Sequence, residues 1–145
     1  MFSVLNQNSS VHILLAIYHF ESSEKVTSTF IANSIQTNPV IIRNLLGKLQ
    51  KAGLAKVEPG VGGAHLSKKI EDITLLDVFL AVDDHNNIFK LHGETNERCE
   101  VGNVAHAVID PYLENVHDQF MESLQTVTLD RLALEMESQI AKNNK

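Results

Sequence analysis

Residues 27–69 read TSTFIANSIQTNPVIIRNLLGKLQKAGLAKVEPGVGGAHLSKK. The stretch parses as helix, sharp turn, second helix, short strand, glycine loop and returning strand. Asn38-Pro39 opens the second helix. A capping side chain is followed by proline at the first helical position, where its missing N–H is no loss. Ile42, Leu45, Leu46 and Leu49 then fall at i, i+3, i+4 and i+7, one apolar stripe of a helix. Val40, Arg43, Asn44, Gly47, Lys48 and Lys51 take the opposite face. Ala52-Gly53 ends the helix, since glycine tolerates the left-handed conformation of a C-terminus. A helix half anchored and half basic, held by a short helix before it, has the form of the reading element of a helix-turn-helix. Periodicity alone fits an ordinary amphipathic helix with a solvated face equally well.

The residues directly behind the helix separate the two. Leu54 to Glu58 reads as a strand, Pro59-Gly60-Val61-Gly62-Gly63 as a tight loop and Ala64 to Ser67 as the returning strand. A glycine-tipped hairpin immediately after a basic helix is the order of a winged helix. It is not a nucleotide-phosphate loop, because no glycine-lysine-serine/threonine comes after it.

The net charge of −6 argues at first against nucleic acid. Its distribution does not. Between Gln36 and Lys69 stand Arg43, Lys48, Lys51, Lys56, Lys68 and Lys69 against Glu58 alone, a local +5 that leaves −11 for the rest. Phosphate contact depends on such a local patch, and an acidic remainder opposes non-specific adhesion. At 145 residues and 43% hydrophobic content the chain has the makeup of one soluble globular domain with an appended element. No apolar run approaches the ~20 residues of a membrane span, and the amino end lacks a secretion-signal profile. A single cysteine excludes an internal disulfide framework and suits the cytoplasm.

Upstream, Ser9 or Ser10 caps a first helix running to about Phe20, with Val11, Leu14, Leu15 and Tyr18 on its buried side. His12 and His19 in it read as packing or surface residues, for no third ligand is near. Thr27 or Ser28 caps the short helix of Phe30, Ile31 and Ile35. Downstream, Thr74 caps a helix of Leu75, Leu76, Val78, Phe79 and Val82, and Asp83 to Asn103 is polar and irregular. A long pattern then runs from about Val104 to Leu124, its stripe built from Val108, Ile109, Tyr112, Leu113, Val116, Phe120 and Leu124, with Pro111 at its start or at a kink. A stripe of that length exceeds what a small winged-helix core covers, so it predicts pairing with a second copy. Thr128 caps a last helix over Leu129 to Ile140.

The ordered set resembles the Rrf family of bacterial winged-helix regulators, which includes IscR, NsrR and CymR, and within it the YwnA-type members. The matching text is Val11-His12-Ile13-Leu14-Leu15-Ala16, Leu49-Gln50-Lys51-Ala52-Gly53-Leu54, Pro59-Gly60-Val61-Gly62-Gly63-Ala64, Ile73-Thr74-Leu75-Leu76-Asp77-Val78 and Val127-Thr128-Leu129 with Leu132. The loop Asn96-Glu97-Arg98-Cys99-Glu100-Val101-Gly102 has the YwnA-type setting of a lone cysteine. The resemblance implies a dimeric DNA-binding repressor with a long dimerisation helix. Two departures stand out. Cluster-binding members carry three cysteines where this chain has only Cys99, so their iron–sulfur site does not carry over and no cofactor is expected. The wing has Pro59 where a basic residue often precedes the first glycine, and His65 where an aromatic is usual.

The expected architecture is therefore mainly α with a small two-stranded β-wing. A winged helix-turn-helix DNA-binding domain spans 1–83, a sensor-type loop 84–103, and the dimerisation helix and C-terminal helix 104–145. The expected function is sequence-specific regulation of transcription, as a cytoplasmic homodimeric repressor on a palindromic operator in double-stranded DNA. Arg43, Asn44 and Val40 suit base edges. Thr37, Asn38, Lys48 and Lys51, with the helix start at Ser28 and Thr29, suit phosphates, and Gly62, Gly63 and His65 belong to the wing. Val108, Tyr112, Leu113, Val116, Phe120 and Leu124 form the dimer surface. Cys99, beside Arg98 and a helix start that favour thiolate and between Glu97 and Glu100 that oppose it, is the redox-sensing candidate. The other readings are a winged-helix protein-interaction module without DNA binding, or a metal- or iron–sulfur-dependent regulator with atypical ligands. His85, His92 and Cys99 are spaced by seven, but in an irregular loop, where they read as solvated side chains. No membrane partner, small-molecule substrate, metal site or catalytic motif is expected, so the chain does not read as an enzyme.

Overall fold

The computed structural model describes residues 2–60, 62–83 and 93–144. Its elements are α1 (Phe2–Phe20), α2 (Ser28–Ile35), α3 (Pro39–Lys51), β1 (Ala55–Glu58), β2 (Gly63–Leu66), a 3-10 turn at Ile70–Asp72, α4 (Leu75–Val82), α5 (Glu100–Gln125) and α6 (Leu129–Asn143). The fold is mainly α with a two-stranded antiparallel wing, as the residue pattern implies. Val61 and residues 84–92, with His85, His92 and about half of the anticipated sensor-type loop, lie outside the described residues.

α1 begins well before Ser9 and Ser10. Neither proline nor glycine interrupts residues 2–8, so the helix runs through the serines, and Ser10 is buried inside it. Ile13, Leu14 and Ile17 are fully buried, and α1 packs against α2, α3, α4, α6 and β2. Thr27 caps α2 by accepting from the Phe30 N–H at 3.0 Å. α2 ends at Gln36, whose φ of 63° is left-handed without glycine and turns the chain sharply into α3. Asn38 Oδ1 accepts from the Val40 N–H at 2.9 Å. Ile42, Leu45, Leu46 and Leu49 all enter the core.

The late helices are sewn to this unit by backbone. Thr74 and Thr128 form an antiparallel bridge, in which Leu75 N–H donates to the Val127 carbonyl at 2.9 Å and Leu129 N–H to the Ile73 carbonyl at 2.8 Å. Thr74 and Asp77 close a reciprocal capping box at the start of α4. Leu129 and Ala133 join the same core as α1 and α3, and α6 runs three residues past Ile140. α5 starts at Glu100 rather than Val104, with Cys99 at its N-cap position and Pro111 inside it. Among the described residues no helix is long and apolar enough to cross a membrane.

Candidate nucleic-acid interface

Four buried side chains fix the rotation of α3 about its axis, and that rotation decides what it shows outward. Arg43, Asn44 and Lys51 are exposed, together with Val40 at 52% and Ile41 at 46%. Ile41, not singled out by the sequence pattern, lines a shallow cleft with Asn6, Arg43, Asn44, Gly47, Lys48 and Lys51. Lys48 is half-buried, its Nζ donating to the Val82 carbonyl at 3.4 Å, so α4 draws this cation to the side of the exposed face. Asn38 is exposed with its oxygen engaged in capping, Thr37 and Ser28 are half-buried and Thr29 is exposed.

The wing is tied on both sides. Val57 N–H donates to Gln50 Oε1 of α3 at 3.2 Å. On the outer edge of β2, Ala64 N–H donates to the Val26 carbonyl at 2.8 Å and Leu66 N–H to Glu21 Oε2 at 3.1 Å. Lys25 Nζ reaches the Gly60 carbonyl at 2.7 Å. Gly63 is buried with φ 71°, and a Cβ there would lie 2.8 Å from the Val26 nitrogen. Its missing side chain is thus used inside the chain. Gly62 is half-buried against Glu58, and His65 Nε2 is 3.1 Å from the Gly62 carbonyl, turned back on the loop. Nothing in the one-dimensional pattern points to Glu21, Lys25 or Gln50 as wing supports, because each acts across a turn or a strand.

α5 has three sides at 100° per residue. Phe120 meets Phe79 of α4 edge-to-face at 5.4 Å, and Leu113 and Leu124 lie beside it, half-buried. Val101, Val104, Val108, Tyr112 and Val116 make a second arc that is exposed, Tyr112 at 74%. Asp110, Glu114, Asp118 and Glu122, spaced by four, make the third. The stripe anticipated as one surface is therefore split between the chain's own domain and an open face. Ahead of the helix, Cys99 is exposed, and the N–H groups of Gly102 and Val101 hold its thiol below the usual cysteine range. The two histidines of α1 are half-buried and each meets a polar side chain: His12 Nε2 lies 2.9 Å from Ser34 Oγ and His19 Nδ1 lies 2.7 Å from Glu137 Oε1. Burial lowers the His12 pKa.

Comparison with known proteins agrees along nearly the full length. The family model Rrf2, described as "Iron-dependent Transcriptional regulator", matches residues 6–135. The chain is 36% identical over 124 residues to YwnA of Bacillus subtilis (strain 168), assigned as an HTH-type transcriptional regulator, covering 86% of this chain and 85% of that one. A solved structure assigned as a DNA-binding protein is 31% identical, with a TM-score of 0.71 over 88% of this chain and 97% of its own. Another, assigned as a transcriptional regulator from Lactobacillus plantarum, shares the fold with a TM-score of 0.76 at 21% identity, covering 97% and 99% of the two chains. Among the described residues the donors do not fit the iron of the family description. The chain's one cysteine stands exposed, and among the described residues no three of His, Cys, Asp and Glu come together. With reading helix, wing and late helices in this order, and regulators rather than enzymes as relatives, the chain belongs to the Rrf2 family of transcriptional regulators.

Proposed function

We propose that this regulator is a homodimeric repressor that lays α3 in the major groove of a palindromic operator. The observation that carries the reading is the division of α3: four side chains lock it into the core while Val40, Arg43, Asn44 and Lys51 stand exposed together. Arg43 and Asn44 supply donors and acceptors for base edges, and Val40 suits a thymine methyl. Lys48 and Lys51 toward the end of α3, with Ser28, Thr29, Thr37 and Asn38 at the starts of α2 and α3, suit the phosphates that fix register. The helix-turn-helix assignment of YwnA supports the same reading. The exposed arc of Val108, Tyr112 and Val116 supports pairing through α5, since apolar area of that extent calls for cover. A two-fold dimer then sets half-sites one helical turn, ~34 Å, or a multiple of it apart. Cys99, held toward thiolate by backbone N–H groups, is the oxidant-responsive group in this reading.

Selection of duplexes from a random-sequence pool, followed by gel shifts at several salt concentrations, tests it. The expected outcome is one enriched palindrome and a steep salt dependence. Arg43→Ala should lose ~1–3 kcal/mol and relax sequence preference, while Lys51→Ala weakens all duplexes alike. No enriched sequence and a flat salt dependence would overturn the reading and favour a winged-helix protein-interaction module. Peroxide-induced release that is unchanged in Cys99→Ser would remove the thiol response.

A further inference from the structure

The chain has seven glycines, and six of them have a reason inside the fold. Gly53, Gly60, Gly63 and Gly93 have positive φ, and a Cβ at Gly62 or Gly102 would run into Glu58 or the Asn96 carbonyl. Gly47 has neither. It sits in the third turn of α3 with no positive φ, and a Cβ built on it meets nothing within 4 Å. Glycine inside a helix is destabilising relative to alanine, so α3 carries a weakening residue where alanine would fit without contact. Gly47 lies one turn from both Arg43 and Lys51 and lines the same cleft as those cations. It belongs to the later half of α3, the part that leaves the groove past the sugar–phosphate backbone once the first turns have met base edges.

We infer that Gly47 is the point where the DNA backbone comes closest to α3, its missing side chain seating a sugar–phosphate between Arg43 and Lys51. The inference rests on the proposed reading of α3 as the DNA-contacting helix. Gly47→Ala should move two properties in opposite directions. Melting temperature rises by ~3 °C, from the regained helix propensity. Affinity for the duplex that the wild-type chain selects from a random pool falls about tenfold or more at fixed salt, the effect of one methyl group in a closed contact. Gly47→Lys is the second variant. By charge alone it would tighten binding; with the backbone seated on this turn it weakens it. Unchanged affinity in Gly47→Ala, or tighter binding by Gly47→Lys, overturns the inference. So does a fall in the melting temperature of Gly47→Ala, which would mean that the chain itself needs the glycine. If the wild-type chain enriches no duplex, the underlying DNA reading fails and takes the inference with it.

Discussion

α3 and α5 are both amphipathic, and they differ in which face the fold covers. α3 is 13 residues long and buries four of them, leaving an arginine, an asparagine and a lysine outside. α5 is 26 residues long and buries none, leaving valines and a tyrosine outside while only its Phe120 side rests on α4. An apolar face that is satisfied internally frees the polar face to meet an outside partner that is polar. An apolar face left open asks for an apolar partner. The two helices thus present two different chemistries, one suited to a polyanion and one to an apolar partner.

The largest test of that contrast compares truncations to alanine on the two helices. Leu49→Ala on α3 removes a side chain with 0% exposure and should destabilise the fold by ~2–5 kcal/mol in urea titration. Val108→Ala on α5 starts from 57% exposure in the single chain and, measured at concentrations where the chain is dissociated, should change its stability by less than ~0.5 kcal/mol. Equal losses would mean that α5 is held as tightly as α3 within one chain. Next, Tyr112→Glu puts a charge in the middle of the open arc. Under the dimer reading it weakens self-association by on the order of a hundredfold, ~2.7 kcal/mol, in sedimentation, with melting of the isolated chain little altered. A wild-type chain that sediments as a monomer at micromolar concentration would remove the contrast's second half.

The wing gives a smaller effect. Gly63→Ala combines a φ of 71° with a Cβ 2.8 Å from the Val26 nitrogen, and should destabilise the fold by ~1–3 kcal/mol in thermal melts. Gly60→Ala shares the positive φ, at 87°, but meets open space, so its loss should be smaller. The smallest effect is one of pH. Burial lowers the His12 pKa in the folded chain, so below the unfolded value of ~6.5 the unfolded chain takes up the proton first. The associated stability is present above that pH and fades as the solution becomes more acid. His12→Gln should therefore show a shallower loss of melting temperature between pH 7 and pH 5 than the wild-type chain, and an identical slope would contradict the assignment.

Much of α3 is legible in the sequence because its signals are local. Asn38-Pro39, the spacing of Ile42 to Leu49 and the Ala52-Gly53 stop all act within a turn or two of helix. The start of α1 departs from the local pattern for the same kind of reason: Ser9 and Ser10 look like caps, yet nothing upstream of them breaks a helix and Ser10 packs in the core. α5 begins four residues ahead of its predicted start because the polar text before Val104 hides Cys99 in an N-cap position without a side-chain capping bond. Lys48 reads as one more surface cation until Val82 is seen to lie beside it.

The sequence by itself determined the helix-turn-helix, the wing behind it and the membership of a regulator family, since periodicity, caps and glycines are written over a few consecutive residues. Tertiary structure alone decided which arc of α5 is spent on Phe79, that Leu129 and Ala133 close the core of α1 and α3, and that Gly63 must lie against Val26. Each of those contacts joins residues dozens of positions apart, and the order of a chain carries no record of which distant backbone or ring will press against a given face.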